Sequence, residues 1–237
     1  MPASIQLHVW GDFACFTRPE MKAERVSYDI ITPSAARGIF EAIYWKPQIT
    51  WTIEKINLLK PIRFTSIRRN EVGKKAPSPD KKVITGEKQP SPILIEDERQ
   101  QRASLVLRDV AYLIEASVRI HDTRMERGGP KVPTNHIAGK HLDIFKRRAR
   151  KGQYFHHPYL GTREFPASFA LIEDPSDTPA SQLSPAEQNR DFGFMLHDIE
   201  FDQDPKSKKV RSTTPRFFRA EMTNGAVIVP PFRNSIA

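Results

Sequence analysis

Along the first 172 residues the apolar spacing switches between a period of two and a period of three to four, and the order of those switches leaves few ways to fold. Ile5, Leu7 and Val9 share one face of an opening strand whose other face carries Gln6, His8 and Trp10. Thr32-Pro33-Ser34 announces a helix, with Thr32 as N-cap and proline in the first turn. Ala36, Ile39, Phe40 and Ile43 give its apolar stripe, and Pro47 stops it. Ile49, Trp51 and Ile53 alternate as a second strand, and Tyr112, Ile114, Ala116, Val118 and Ile120 alternate as a third. Thr134 or Asn135 is positioned to cap a second helix striped by Ala138, Leu142, Phe145 and Ala149, with Gly152 as its stop. A strand at 167–172 follows. Strand, helix, strand, strand, helix, strand predicts an α+β chain with a ferredoxin-like (RRM-like) βαββαβ domain over residues 1–172.

Two stretches depart from that rhythm. Residues 67–104 are basic, proline-rich and aperiodic, which predicts a long excursion or hairpin in the middle connection, with a mobile tip. Residues 173–190 are polar and read as a linker. Beyond them, 192–201, 217–222 and 227–229 alternate, the last two joined by Asn224-Gly225, a two-residue hairpin signal. Residues 173–237 are therefore expected to form a linker and a small antiparallel β domain.

Composition narrows the function. No run approaches the ~20 apolar residues of a membrane helix, and MPASIQLHVWGDF has neither the basic start nor the apolar core of a secretion signal. The expected location is the cytoplasm, with no membrane partner. A single cysteine, Cys15, excludes internal disulfides and thiolate metal clusters. Lys and Arg number 37 against 28 acidic residues, a net charge of +9 that favours polyanions through counterion release.

Phosphate-binding GxxxxGK[ST] loops, GxGxxG turns, HExxH and GxSxG are all absent. His156 and His157 are adjacent, and neighbours on a strand point to opposite faces, so no metal site and no cofactor are expected. Histidine, lysine and tyrosine suffice to cut RNA without a metal. The 2′-hydroxyl is the nucleophile, histidine has a pKa suited to moving its proton, and lysine can shield the phosphorane. Gly139-Lys140-His141, near the start of the second helix, is the leading cluster, since helix N-termini attract phosphate. His141 could equally be a flank residue packing on the core, and Lys140 a solvated surface lysine. Tyr44-Trp45-Lys46-Pro47 is the second cluster, in which Tyr44 either packs on the sheet or offers its hydroxyl. Arg18, Lys22 and Arg25 lie in a basic loop that could follow a phosphate backbone, as could Lys46, the helix-end residues Lys146 and Arg147, and Arg163.

Several of these segments occur together in one known family. VWGDFACFTRPE, the helix start TPSAARGI and the helix end IYWKP, followed later by IAGKHLDIFKRRARKG and YLGTREFPA, resemble the Cas-five family of CRISPR-associated proteins in its type I-C branch, the d subfamily. The resemblance implies a ferredoxin-like fold followed by a small β-rich domain. It implies an endoribonuclease that recognises the repeat hairpin of precursor CRISPR RNA and cuts at the 3′ base of the stem. The cut is metal-independent and leaves a 2′,3′-cyclic phosphate. The protein then stays on the 5′ handle of the mature crRNA, with other subunits of the type I-C surveillance complex as partners. The family's Tyr–Lys–His catalytic set falls on Tyr44, Lys140 and His141. Two alternatives compete: a non-catalytic handle-binding subunit, and a duplex-DNA-binding subunit that uses residues 67–104.

Overall fold

The computed structural model describes residues 4–21, 23–89, 92–124, 131, 133–204, 207 and 209–237. The strands are β1 (Ile5–Ala14), β2 (Ile49–Leu58), β3 (Phe64–Val72), β4 (Arg99–Ile120), β5 (Ser168–Ile172), β6 (Arg190–Gln203), β7 (Val210–Thr223) and β8 (Ala226–Ile228). The helices are α1 (Pro33–Ile43), two single turns α2 (Lys81–Ile84) and α3 (Ile95–Glu98), and α4 (Thr134–Arg150). The chain is thus a mixed α/β fold, and every pairing between these strands is antiparallel. Hydrogen bonding runs through the order β5-β1-β4-β2-β8-β7-β6, with β3 paired to β4 off that path. Among the described residues no helix is long and apolar enough to cross a membrane.

Alternation explains why β1 forms where it does. Ile5, Leu7 and Val9 are buried on the helix-covered face, whereas Gln6, His8 and Trp10 are only half-buried on the other. The helix α1 starts at the expected place: the Thr32 hydroxyl accepts from the Ala35 N–H (3.2 Å) and Pro33 takes the first position. Its buried stripe, Ala36, Ile39, Phe40 and Ile43, is the one read from the sequence. The other helix, α4, has Pro33's counterpart before it: Pro133 is the N-cap and no side chain caps the first turn, so neither Thr134 nor Asn135 does so. Asn224 (φ 51°) and Gly225 (φ 77°) both take positive φ, as the turn between β7 and β8 requires.

Residues 67–104 are largely strand-paired. The aperiodic stretch contains most of β3 and the first part of β4, which pair from Phe64↔Leu107 to Val72↔Arg99. Pairing holds the two limbs of this excursion together as an antiparallel ribbon. The alternation is weak here because both faces of the ribbon are largely exposed, so no apolar face is needed. Downstream, β4 serves β1 and then β2, burying Val110, Tyr112, Ile114 and Ala116. Asp109 (φ 53°) sits where the strand turns from the ribbon into the sheet, held by Lys60 (2.5 Å). At the far end β8 pairs with both β2 and β7, so the C-terminal strands share the same hydrogen-bonded sheet.

Candidate active site

The site grows out of a brace between the two long helices. Phe40 of α1 stacks on Phe145 of α4, with centroids 5.2 Å apart and planes 12° from parallel, and Trp51 of β2 closes on Phe145 at 4.7 Å. Four residues after Phe40 comes Tyr44, and four residues before Phe145 comes His141. On antiparallel helical segments an i, i+4 step moves both partners one turn in the same direction. The second pair therefore meets as the first does. The Tyr44 hydroxyl and His141 Nδ1 share a hydrogen bond of 2.8 Å, joining residues 97 positions apart. Tyr44 is the C-cap of α1, where the backbone turns to extended geometry, and its carbonyl accepts from the Trp51 indole N–H (2.8 Å).

His141 is 1% exposed, so it packs inside the helix–sheet layer and is not a flank residue. It also lies in the second turn of α4, beyond reach of the free amides and of the dipole effect, which fade within the first turn. Phosphate attraction here must come from side chains. Burial lowers the His141 pKa below the ordinary histidine range, and the charges of Lys140 and Lys46 lower it further. Burial raises the pKa of Tyr44, opposed by the charge of Arg148. At neutral pH both partners are consequently uncharged, with the ring orientation of His141 fixed through Nδ1. Its Nε2 is buried and has no hydrogen-bond partner among the described residues. A buried, unsatisfied ring nitrogen is unfavourable for folding alone, by about 1–3 kcal/mol.

The structure brings Tyr44, Lys140, His141 and Lys46 into one neighbourhood, and it adds Arg148. Seven residues after His141, Arg148 lies two turns along the same helical face, a spacing that could have been read from the sequence. Lys140 is half-buried and Lys46 exposed. The other predicted contacts divide. Arg18 is paired with Asp29 (3.2 Å) and lies over the Tyr28 ring, while Arg25 is paired with Glu71 (3.5 Å) and Glu164 (3.2 Å). Both guanidinium groups are already ion-paired within the fold, to carboxylates that Arg190, Arg69 and Arg102 share. Lys22 lies outside the described residues. Lys146 is half-buried on α4, and Arg147 and Arg163 are exposed; none of the three makes an ion pair among the described residues. His156 and His157 fall in the loop after α4, not on a strand, and each Nδ1 lies within hydrogen-bonding distance of the next residue's carbonyl oxygen. No cluster of three or more His, Cys, Asp or Glu suited to a metal occurs among the described residues.

The likenesses to known proteins extend over nearly the whole chain. Residues 4–230 match the Cas5d family model, described as CRISPR-associated protein (Cas_Cas5). A protein of Mannheimia succiniciproducens named CRISPR pre-crRNA endoribonuclease Cas5d is 55% identical over 236 residues, covering 98% of this chain and 97% of that protein. Its namesake from Thermus thermophilus is 41% identical, over 96% and 92% of the respective chains. Among solved structures, a functionally uncharacterized protein from Streptococcus mutans (TM-score 0.65, 22% identity) and a CRISPR-associated protein (TM-score 0.64, 23% identity) each superpose on 100% of this chain and 96% of their own. These last two likenesses concern the fold. The chain belongs to the Cas5 family of CRISPR-associated proteins, in its d subfamily.

Proposed function

We propose that this protein is a precursor-crRNA endoribonuclease that cuts the repeat hairpin by metal-independent attack of a 2′-hydroxyl. The observation that carries the reading is the Tyr44–His141 hydrogen bond, beside a neutral, buried Nε2 that has no hydrogen-bond partner among the described residues and lies near Lys46, Lys140 and Arg148. The relatives named pre-crRNA endoribonuclease support the substrate class. The strand order β5-β1-β4-β2, with α1 and α4 as connections, is the basis for reading the first 172 residues as ferredoxin-like. We read residues 173–237 as a β-rich appendage to it.

In this mechanism His141 takes the 2′-hydroxyl proton, and the 2′-oxygen attacks the adjacent phosphorus. Lys140 offsets the charge that builds on the non-bridging oxygens. The P–O5′ bond breaks, the 5′-oxygen takes up a proton, and the products are a 2′,3′-cyclic phosphate and a 5′-hydroxyl. Tyr44 orients the imidazole by accepting the Nδ1–H at its hydroxyl oxygen, the tautomer in which Nε2 is unprotonated and free to take the 2′-hydroxyl proton. Because His141 is sealed in the unliganded fold, RNA binding must open a path to Nε2; catalytic hydrogen bonds often form only in the complex. After cleavage the protein holds the 5′ handle and joins the type I-C surveillance complex.

The test is cleavage of a labelled repeat hairpin in excess EDTA, by wild type beside His141→Ala, Lys140→Ala and Tyr44→Phe. A parallel RNA carries a 2′-deoxy residue at the cut. Wild type is expected to cleave the ribose substrate only, and His141→Ala is expected to lose about 10²–10⁴-fold in rate. Tight binding without cleavage by wild type would instead support a handle-binding subunit.

A further inference from the structure

Beside the Tyr44–His141 pair stand two aromatic side chains that the fold does not use. Phe155 is 87% exposed and Trp45 is 53% exposed. An aromatic ring left in water forfeits the burial that ordinarily justifies its size, and two such rings near a functional site call for a ligand.

Neither ring hangs on a loose segment. After α4, Gly152 takes φ +61°, its N–H donating to the Ala149 carbonyl and that of Gln153 to the Arg148 carbonyl, each at 3.0 Å. The chain then crosses to α1, where the Phe155 N–H donates to the Ala42 carbonyl at 2.7 Å. Ala42 is two residues before Tyr44 and three before Trp45. The tip is stiffened further by Tyr154 against His157 (4.9 Å). On the other side, Trp45 lies between the Tyr44 carbonyl held by Trp51 and the Lys46 carbonyl, which accepts from the Ile49 N–H at 3.0 Å. The loop after α4 and the turn after α1 are thus pinned to each other, and they carry the exposed rings of Phe155 and Trp45.

The charge around them decides between possible occupants. Lys46 and Lys140 are close enough to depress the His141 pKa, and Arg148 acts on Tyr44. Flat apolar rings interleaved with cations suit a single-stranded polyanion with planar bases better than an apolar protein face.

We propose that Trp45 and Phe155 form a stacking subsite for an unpaired nucleobase next to the scissile phosphate, recognising single-stranded RNA at the base of the hairpin by its π-faces. The proposal rests on the functional reading above for the location of the cut, and it adds how the strand is aligned there. Such stacking tolerates any base identity, because every base has a π-face. Specificity would then come from the hairpin's shape and from where its single-stranded flank begins.

The experiment uses an uncleavable hairpin RNA, 2′-deoxy at the cut, in a series with one abasic nucleotide moved stepwise along the flank. Binding is measured for wild type, Trp45→Ala, Phe155→Ala and Phe155→Tyr. Each alanine variant is expected to bind the intact RNA about tenfold more weakly, with Phe155→Tyr close to wild type. At one position of the flank, the abasic RNA should weaken wild type by the same factor and Phe155→Ala by nothing further. Full additivity at every position, or undiminished binding by both alanine variants, would overturn the subsite. Binding is read independently of cleavage, so a wild type that fails to cut the ribose hairpin counts against the catalytic reading alone.

Discussion

Burial keeps both His141 and Tyr44 neutral at neutral pH, and the rate should record it. A buried imidazole near Lys46 and Lys140 resists a second positive charge, so its folded pKa lies below the ordinary value of about 6.5. As general base it is competent above that lowered pKa. The single-turnover rate at saturating RNA should rise with pH along a limb whose midpoint lies below the ordinary histidine value, and then level off. Lys46→Gln removes one of the charges that depress His141, so its rising limb should move to higher pH. A limb that stays in place would assign the titration to another group. The same shift acts on stability: His141 binds fewer protons folded than unfolded, so its contribution is present above the unfolded pKa and is lost as pH falls below it. Tyr44 titrates only above the ordinary tyrosine range and stays protonated throughout this window. The candidate residues were legible as types, because histidine, lysine and tyrosine are the side chains such chemistry needs. Their pairing was hidden until Phe40–Tyr44 and His141–Phe145 are seen as two i, i+4 steps on facing helices, a relation that requires knowing that α1 and α4 touch.

At the scale of elements, the segment that follows α4 is also fastened to β1 by a close backbone contact. Gly161 takes φ +86° directly against the end of β1, where the Cys15 N–H donates to the Leu160 carbonyl at 3.0 Å. A Cβ at Gly161 would overlap the Cys15 carbonyl as well as adopt a strained backbone. Gly161→Ala is expected to destabilise the fold by about 3 kcal/mol, lowering Tm by roughly 6–12 °C in thermal denaturation. By contrast Gly139→Ala, on α4 with open space around its Cβ position, should raise Tm slightly, since alanine favours helix by about 1 kcal/mol. The elements with one buried face were legible from spacing: β1, α1, β2, α4 and the lower half of β4 all bury an apolar stripe. The upper half of β4 and most of β3 were not, because a ribbon exposed on both faces carries no alternation. Burial on β4 begins at Ser104, Val106 and Leu107, at the base of the ribbon, and the first five residues of the strand stay open to solvent on one or both faces.

For the whole molecule, where the net charge of +9 sits decides which nucleic-acid contact is credible. Residues 67–104 looked like a basic arm, yet nine basic residues there face six acidic ones, and the returning limb holds Glu96, Asp97 and Glu98 in sequence. Residues 133–163 hold seven basic residues and one acidic residue, Asp143, so about two-thirds of the net charge lies on α4 and the loop behind it. Each phosphate neutralised contributes a slope of roughly −0.7 to −0.9 in log K against log salt. Replacing residues 74–97 by a short Gly-Ser turn preserves the ribbon, because the Gly73 N–H already donates to the Glu98 carbonyl across its open end (2.7 Å). That variant removes five basic and four acidic residues, and its hairpin-RNA affinity and salt slope are expected to match wild type within about one unit. Lys146→Gln combined with Arg147→Gln should instead flatten the slope by about two. The duplex-DNA alternative makes the opposite demand, a slope that collapses on removal of the arm and survives changes to α4. Titrating both variants with hairpin RNA and with duplex DNA across a salt series therefore separates a protein that grips RNA beside its catalytic histidine from one that reaches for DNA with its ribbon.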